Sequence, residues 1–164
     1  MPASLRIGTA LAGAALAAAA VSISGSAVAN AEAVVADPNA YLVGDTVYFS
    51  YGNMASCAIK PNGDVGCDAT GYDLRWYGMA VTNLSIDAAF LPAHPALGPI
   101  GVHGRSGSPA LTGGGPTPGS NSPYGPDATI TYGGATCNGS GFRGVISCTS
   151  KGHHFNFGFV TDYN

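Results

Sequence analysis

Cys57-Ala-Ile-Lys-Pro-Asn-Gly-Asp-Val-Gly-Cys67 decides how this chain folds. Pro61 presets the φ that the second position of a type I turn requires, Asn62 follows, and Gly63 supplies the left-handed residue of a bulged three-residue hairpin. That turn pairs Lys60 with Asp64, Ile59 with Val65, Ala58 with Gly66 and Cys57 with Cys67. Counted outward from a hydrogen-bonded Lys60–Asp64 pair, the two cysteines fall on a non-hydrogen-bonded pair. There the Cα atoms approach to roughly 4.5 Å, within the range that a disulfide spans.

The other two cysteines, Cys137 and Cys148, enclose Asn138 to Ser147, where Gly139, Gly141 and Gly144 make a central turn easy. Four cysteines allow three pairings, and hairpin geometry favours 57–67 with 137–148. Each bridge closes a short loop and stabilises by about 2–3 kcal/mol. Zinc sites use closer C-x₂₋₄-C spacings and redox sites use C-x-x-C; neither occurs. The four cysteines are therefore expected to be structural.

Upstream, the chain opens with Arg6 as its first charge. An uncharged Ala-, Leu-, Val- and Gly-rich run follows from Ile7 to Ser24, then small residues to Ala33. That is the order of a secretory signal, with A-x-A sites that would allow cleavage after Ala29, Ala31 or Ala33. The expected organisation is a signal over 1–31 and one β domain over 32–164. Disulfides fit an exported chain. No cysteine follows the apolar run to carry a lipid, and no second apolar span follows, so no transmembrane segment is expected once the signal is removed.

The remaining stretch, about 130 residues, suffices for one core. Of six Lys and Arg, only Arg6 lies in the signal; Lys60, Arg75, Arg105, Arg143 and Lys151 are scattered singly. Without a basic patch, nucleic acid is not an expected partner. Thr46 to Tyr51 alternates Val47, Phe49 and Tyr51 with Thr46, Tyr48 and Ser50, the pattern of a half-buried strand. Strand character recurs at Leu74–Val81, Leu84–Phe90, Gly98–His103, Ala128–Tyr132, Arg143–Thr149 and His153–Val160. In the last of these Phe155, Phe157 and Phe159 share a face. No segment shows a helical period of ordinary length. The expectation is an all-β fold, a small antiparallel sandwich or partly open barrel with two hairpin disulfides. From Gly104 to Asp127 the chain is mostly Gly, Ser, Pro, Thr and Asn and is expected to form a long flexible loop.

These residues resemble a group of small exported proteins of mycobacteria and related actinobacteria that carry a cysteine-paired domain. The resemblance rests on Tyr48-Phe49-Ser50 before Cys57, Pro61-Asn62-Gly63, Val65-Gly66-Cys67-Asp68, Leu91-Pro92, Tyr132-Gly133-Gly134 before Cys137, Val145 to Thr149, and Gly152-His153-x-Phe155. His154 stands where the closing motif of that group has glycine. The resemblance implies an exported β domain and supplies no catalytic residues.

The candidate binding residues are Tyr72, Trp76, Tyr77, His153 and His154. Aromatic faces stack on sugars or anchor a protein partner, although a small domain also needs its one Trp for the core. His153 and His154 are adjacent, so in a strand they point to opposite faces and do not share an ion. His94 and His103 lack suitably spaced partners, and no metal or other cofactor is expected. A G-x-S-x-G elbow is absent and no Glu follows position 32, which leaves no catalytic set to name. The leading expectation is a non-enzymatic exported envelope or extracellular protein that binds a glycan or protein of the envelope. The alternative is a small secreted hydrolase acting on envelope material.

Overall fold

The computed structural model describes residues 34–70, 73–111, 127–140, 145–158 and 161–164. The expected signal, over 1–31, lies outside them. Val34–Ala36 (β1), a 3-10 turn over Pro38–Tyr41, Leu42–Val43 (β2) and Thr46–Tyr51 (β3) are followed by Ala55–Ile59 (β4) and Val65–Ala69 (β5). Leu74–Trp76 (β6), Met79–Val81 (β7) and Asn83–Ile86 (β8) come next. Ala128–Tyr132 (β9), Ala135–Ser140 (β10), Val145–Ser150 (β11), His153–Phe157 (β12) and Asp162–Tyr163 (β13) complete the fold. Two sheets, β1-β9-β10-β11-β12-β13 and β2-β3-β4-β5-β8, pack over one core, and β6 and β7 form a separate ribbon. Every pairing is antiparallel except β1 with β9, which run parallel.

The β4–β5 hairpin has the register its sequence dictates. Ile59 faces Val65, Ala58 faces Gly66, and Cys57 faces Cys67. The Lys60 amide donates to the Asp64 carbonyl at 2.8 Å, and Gly63 sits at φ +82°. Cys57 and Cys67 are bridged with their Cα atoms 4.0 Å apart; Cys137 and Cys148, opposed across β10 and β11, are bridged with theirs 4.1 Å apart. Both bridges are fully buried. Each belongs to a different sheet, yet Cys67 Sγ lies 3.9 Å from Cys148 Sγ. Neither sulfur carries a hydrogen, so this is van der Waals contact between the two bridges.

Around the sulfurs, Val47, Phe49, Tyr51, Ile59 and Val65 of one sheet meet Ile130, Ile146, Phe155 and Phe157 of the other, all essentially inaccessible. Phe155 and Phe157 stack at 5.3 Å between centroids. Phe159, expected on the same face, lies outside the described residues. Tyr51 packs its ring over Gly139, where a Cβ would overlap the ring atoms. Burial pushes the Tyr51 phenol far above its ordinary value, with the Asp127 carboxylate adding to the effect, so the group stays neutral.

The sheets are also stitched at their hairpin tips. Ser150 Oγ donates to the Gly63 carbonyl at 2.6 Å. Lys151 Nζ pairs with the largely buried Asp64 and donates to the Asp87 carbonyl at 2.8 Å. Lys151 occupies φ +51° in the two-residue turn between β11 and β12, a conformation costing an L-residue about 1–2 kcal/mol. The anchored ammonium offsets that cost.

Three expected strands are corrected. Leu74–Val81 folds back at Tyr77-Gly78 into β6 and β7, and the strand expected over Leu84–Phe90 ends at Ile86. Gly98–His103 is not a strand: Leu97 to Ile100 forms a turn, and only Ser85 and His94 bridge nearby. Gly104 to Leu111, the first part of the loop expected to be flexible, lies against β3. Ser50 donates to the Pro109 carbonyl at 2.8 Å, Leu111 donates back to Ser50 at 2.7 Å, and Leu111 is buried. One apolar side chain reaching the core, with main-chain pairing to β3, overrides the composition. Residues 112–126 lie outside the described residues.

Two substitutions test this packing. Gly139→Ala drives a methyl into the immobile Tyr51 ring and should lower unfolding free energy by about 1–3 kcal/mol in urea denaturation. Lys151→Met leaves Asp64 without its cation and should cost about 1–3 kcal/mol in the same assay. Unchanged midpoints would contradict the packing described.

Candidate functional site

The β6–β7 ribbon stands off from both sheets and forms one wall of a groove of 530 Å³. Trp76, Met79 and Val81 line this wall, and Pro95, Leu97 and Ile100 line the other. The ribbon is held at three points. Trp76 Nε1 donates to the Ala93 carbonyl at 3.0 Å, the Ala69 amide to the Thr82 carbonyl at 2.8 Å, and the Tyr77 amide to the Tyr163 hydroxyl at 2.7 Å. Met79 is 55 % exposed, Leu97 78 % and Ile100 75 %. Large apolar side chains at that exposure on neighbouring turns make a patch that water does not favour.

The groove has two ionisable lining residues, Asp87 and His94. His94 Nε2 lies 3.3 Å from Asp87 Oδ1, and His94 Nδ1 lies 3.0 Å from the Pro92 carbonyl. With both ring nitrogens facing acceptors, His94 has no lone pair directed at a ligand. The pair thus fixes the turn that carries Pro95, Ala96 and Leu97. Asn83 supports the same segment from below, its Oδ1 accepting from the Ala96 amide at 2.6 Å. Asn83 is buried, so its side chain is committed to this structural contact.

Tyr77 sits at φ +46° and Gly78 at φ +80°, both central positions of a two-residue hairpin turn that usually takes Asn-Gly or Gly-Gly. A bulky residue is an outlier there. Unlike Lys151, Tyr77 is repaid by no burial: it is 69 % exposed, its ring in edge contact with Trp76 at 4.8 Å and Tyr163 at 5.3 Å. Strain of this kind gathers at sites of function.

The candidates from sequence divide as follows. Trp76 is both core and site, half-buried against the core and open to the groove. Tyr77 stands beside it at the ribbon tip. Tyr72 lies outside the described residues. His153 and His154 are not brought together: His153 Nε2 lies 3.1 Å from the Ala89 carbonyl, and His154 Nε2 lies 3.3 Å from Asp162. The remaining imidazole, His103, pairs through Nδ1 with Asp68 at 2.9 Å. Among the described residues none of the four is paired with a hydroxyl. Among the described residues no group of three or more His, Cys, Asp or Glu side chains is placed to hold a metal ion.

No motif singles out Leu97 or Ile100 in the sequence, and His94 enters there only as a candidate metal ligand. The signal was present: from Ala88 to Val102 there is no Asp, Glu, Lys or Arg. A surface turn segment without a charged side chain marks an apolar face.

Replacing Tyr77 by Asn relieves the left-handed strain and gives up only exposed ring contacts. Thermal unfolding of Tyr77→Asn should match the parent within about 1 kcal/mol. A loss several times larger would make Tyr77 a structural residue and remove it from the site.

No family model, curated protein or solved structure matches this chain.

Proposed function

We propose that this chain is an exported binding protein of the cell envelope or extracellular space, and that its groove takes an apolar ligand or the apolar part of a larger one. The observation that carries this reading is the groove itself: 530 Å³, walled by Trp76, Met79, Val81, Leu97 and Ile100, with its two ionisable lining residues, Asp87 and His94, paired to each other. Cavities of roughly 300–1,000 Å³ with apolar walls and few polar groups are the usual form of small-ligand sites. The exposed, strained Tyr77 stands beside the lining residue Trp76, its ring in edge contact with the indole at 4.8 Å.

Export is supported by the signal-like N-terminal sequence, the two disulfides and the resemblance to exported actinobacterial proteins. No helix among the described residues is long and apolar enough to cross a membrane. The hydrolase alternative gains less, because among the described residues none of the four imidazoles has a hydroxyl partner and His94 has both nitrogens engaged.

Trp76 is the only tryptophan, so its fluorescence reports on the groove alone. Titration with a medium-chain alkanol should shift or quench that emission with saturation. Met79→Asp places a charge in the apolar wall and should weaken the response by about tenfold or more, roughly 1.4 kcal/mol. Emission that ignores the alkanol, or saturates equally in Met79→Asp, would remove the groove as the binding site.

A further inference from the structure

A second cleft, of 380 Å³, lies between β3, β4 and the loop from Arg105 to Ser108. Its chemistry is opposite to that of the apolar groove. Hydroxyls of Ser50, Ser56, Ser108 and Thr70 line it together with Ser106, with Arg105 on the loop side.

The direction of the hydrogen bonds decides what these hydroxyls can offer. Ser50 Oγ donates to the Ser108 carbonyl at 3.1 Å, and Ser56 Oγ to the Arg105 carbonyl at 3.0 Å. Ser108 Oγ donates to the Arg105 carbonyl at 2.6 Å, and Thr70 Oγ1 to the Asn53 carbonyl at 2.8 Å. All four protons are committed to the main chain, so the oxygens present lone pairs only. A ligand that satisfies them must bring several O–H or N–H donors.

Arg105 supplies the complementary half. Arg75 is paired with Asp73 at 2.9 Å, whereas Arg105 has no carboxylate within ion-pair distance among the described residues. Its guanidinium stands 6.0 Å from the centre of the Tyr48 ring. The nearby Asp68 is already engaged through both oxygens, by His103 Nδ1 at 2.9 Å and the Gly104 amide at 2.7 Å. The guanidinium fork is therefore free to take a carboxylate or similar oxyanion from a ligand.

The loop is also built for position. A Cβ on Gly104 would overlap the Ser56 main chain, so only glycine permits this approach. Gly104 to Ala110 buries little, yet it is fixed to β3 and β4 by main-chain and hydroxyl bonds. Binding residues are often carried on surface loops held in position by a rigid scaffold.

We infer that this cleft binds an acidic sugar, its hydroxyls donating to the serine and threonine oxygens and its carboxylate held by Arg105. This site is independent of the apolar groove and goes beyond the proposed binding there.

The test is an amide-resolved NMR titration of the disulfide-bonded protein with glucuronate, glucose and acetate. Glucuronate should move the resonances of Ser50–Ser56 and Gly104–Ser108, and bind about tenfold tighter than glucose or acetate. Arg105→Gln, at an exposed position, should reduce glucuronate to the affinity of glucose. Ser56→Ala should weaken both sugars while leaving acetate unchanged. Absence of shifts at these amides, acetate matching glucuronate, or Arg105→Gln binding as the parent does would each overturn the proposal. Met79→Asp is the control: it should leave glucuronate binding intact, so failure at one site is separable from failure at the other.

Discussion

The rest of the structure depends on two disulfides in contact. One bridge crosses β4 and β5, the other β10 and β11, and the sulfurs of Cys67 and Cys148 meet 3.9 Å apart where the sheets face each other. Each bridge holds one hairpin in register; a one-residue slip would turn every side chain of that strand to the wrong face. Their contact fixes which pair of one sheet lies over which pair of the other. From that point the aromatic and branched residues pack outward, and the hairpin tips close through Ser150, Lys151, Gly63 and Asp64.

A domain held so firmly at its centre tolerates strain at its margins. Lys151 and Tyr77 both occupy left-handed positions in two-residue turns. Lys151 is compensated by an anchored ammonium that binds the two sheets. Tyr77 has an exposed ring and a single main-chain bond to Tyr163. The same local departure from turn preference thus has a structural cause in one place and points to recognition in the other.

The surface divides its chemistry. The β6–β7 ribbon and the Ala88–Val102 segment, which has no Asp, Glu, Lys or Arg, present an apolar groove, and the Gly104–Ser108 loop presents serine hydroxyls and the Arg105 guanidinium. An envelope molecule with an apolar portion and an acidic sugar would find a match for each portion on this protein, at separate places. Neither site requires a nucleophile, and the imidazoles are turned to carbonyls and carboxylates.

What the sequence determined by itself was local. Pro61-Asn62-Gly63 dictated a bulged hairpin, the hairpin dictated the Cys57–Cys67 pair, and the two-residue alternation of Thr46–Tyr51 and His153–Phe157 named the core faces. These follow from φ preference and a period of two, which act over a few residues. Tertiary structure decided the contact of the two bridges, the parallel addition of β1, the placement of Gly104–Leu111 against β3 and the pairing of Trp76 with Leu97 and Ile100 across a groove. Composition marked Gly104–Leu111 as flexible because it counts side chains, whereas the segment is held by main-chain bonds to β3, by Ser50, Ser56 and Asp68, and by the buried Leu111. The groove was hidden for a related reason: its walls come from segments separated in sequence, and only the packing of the ribbon against the 94–100 turn makes their apolar residues one surface.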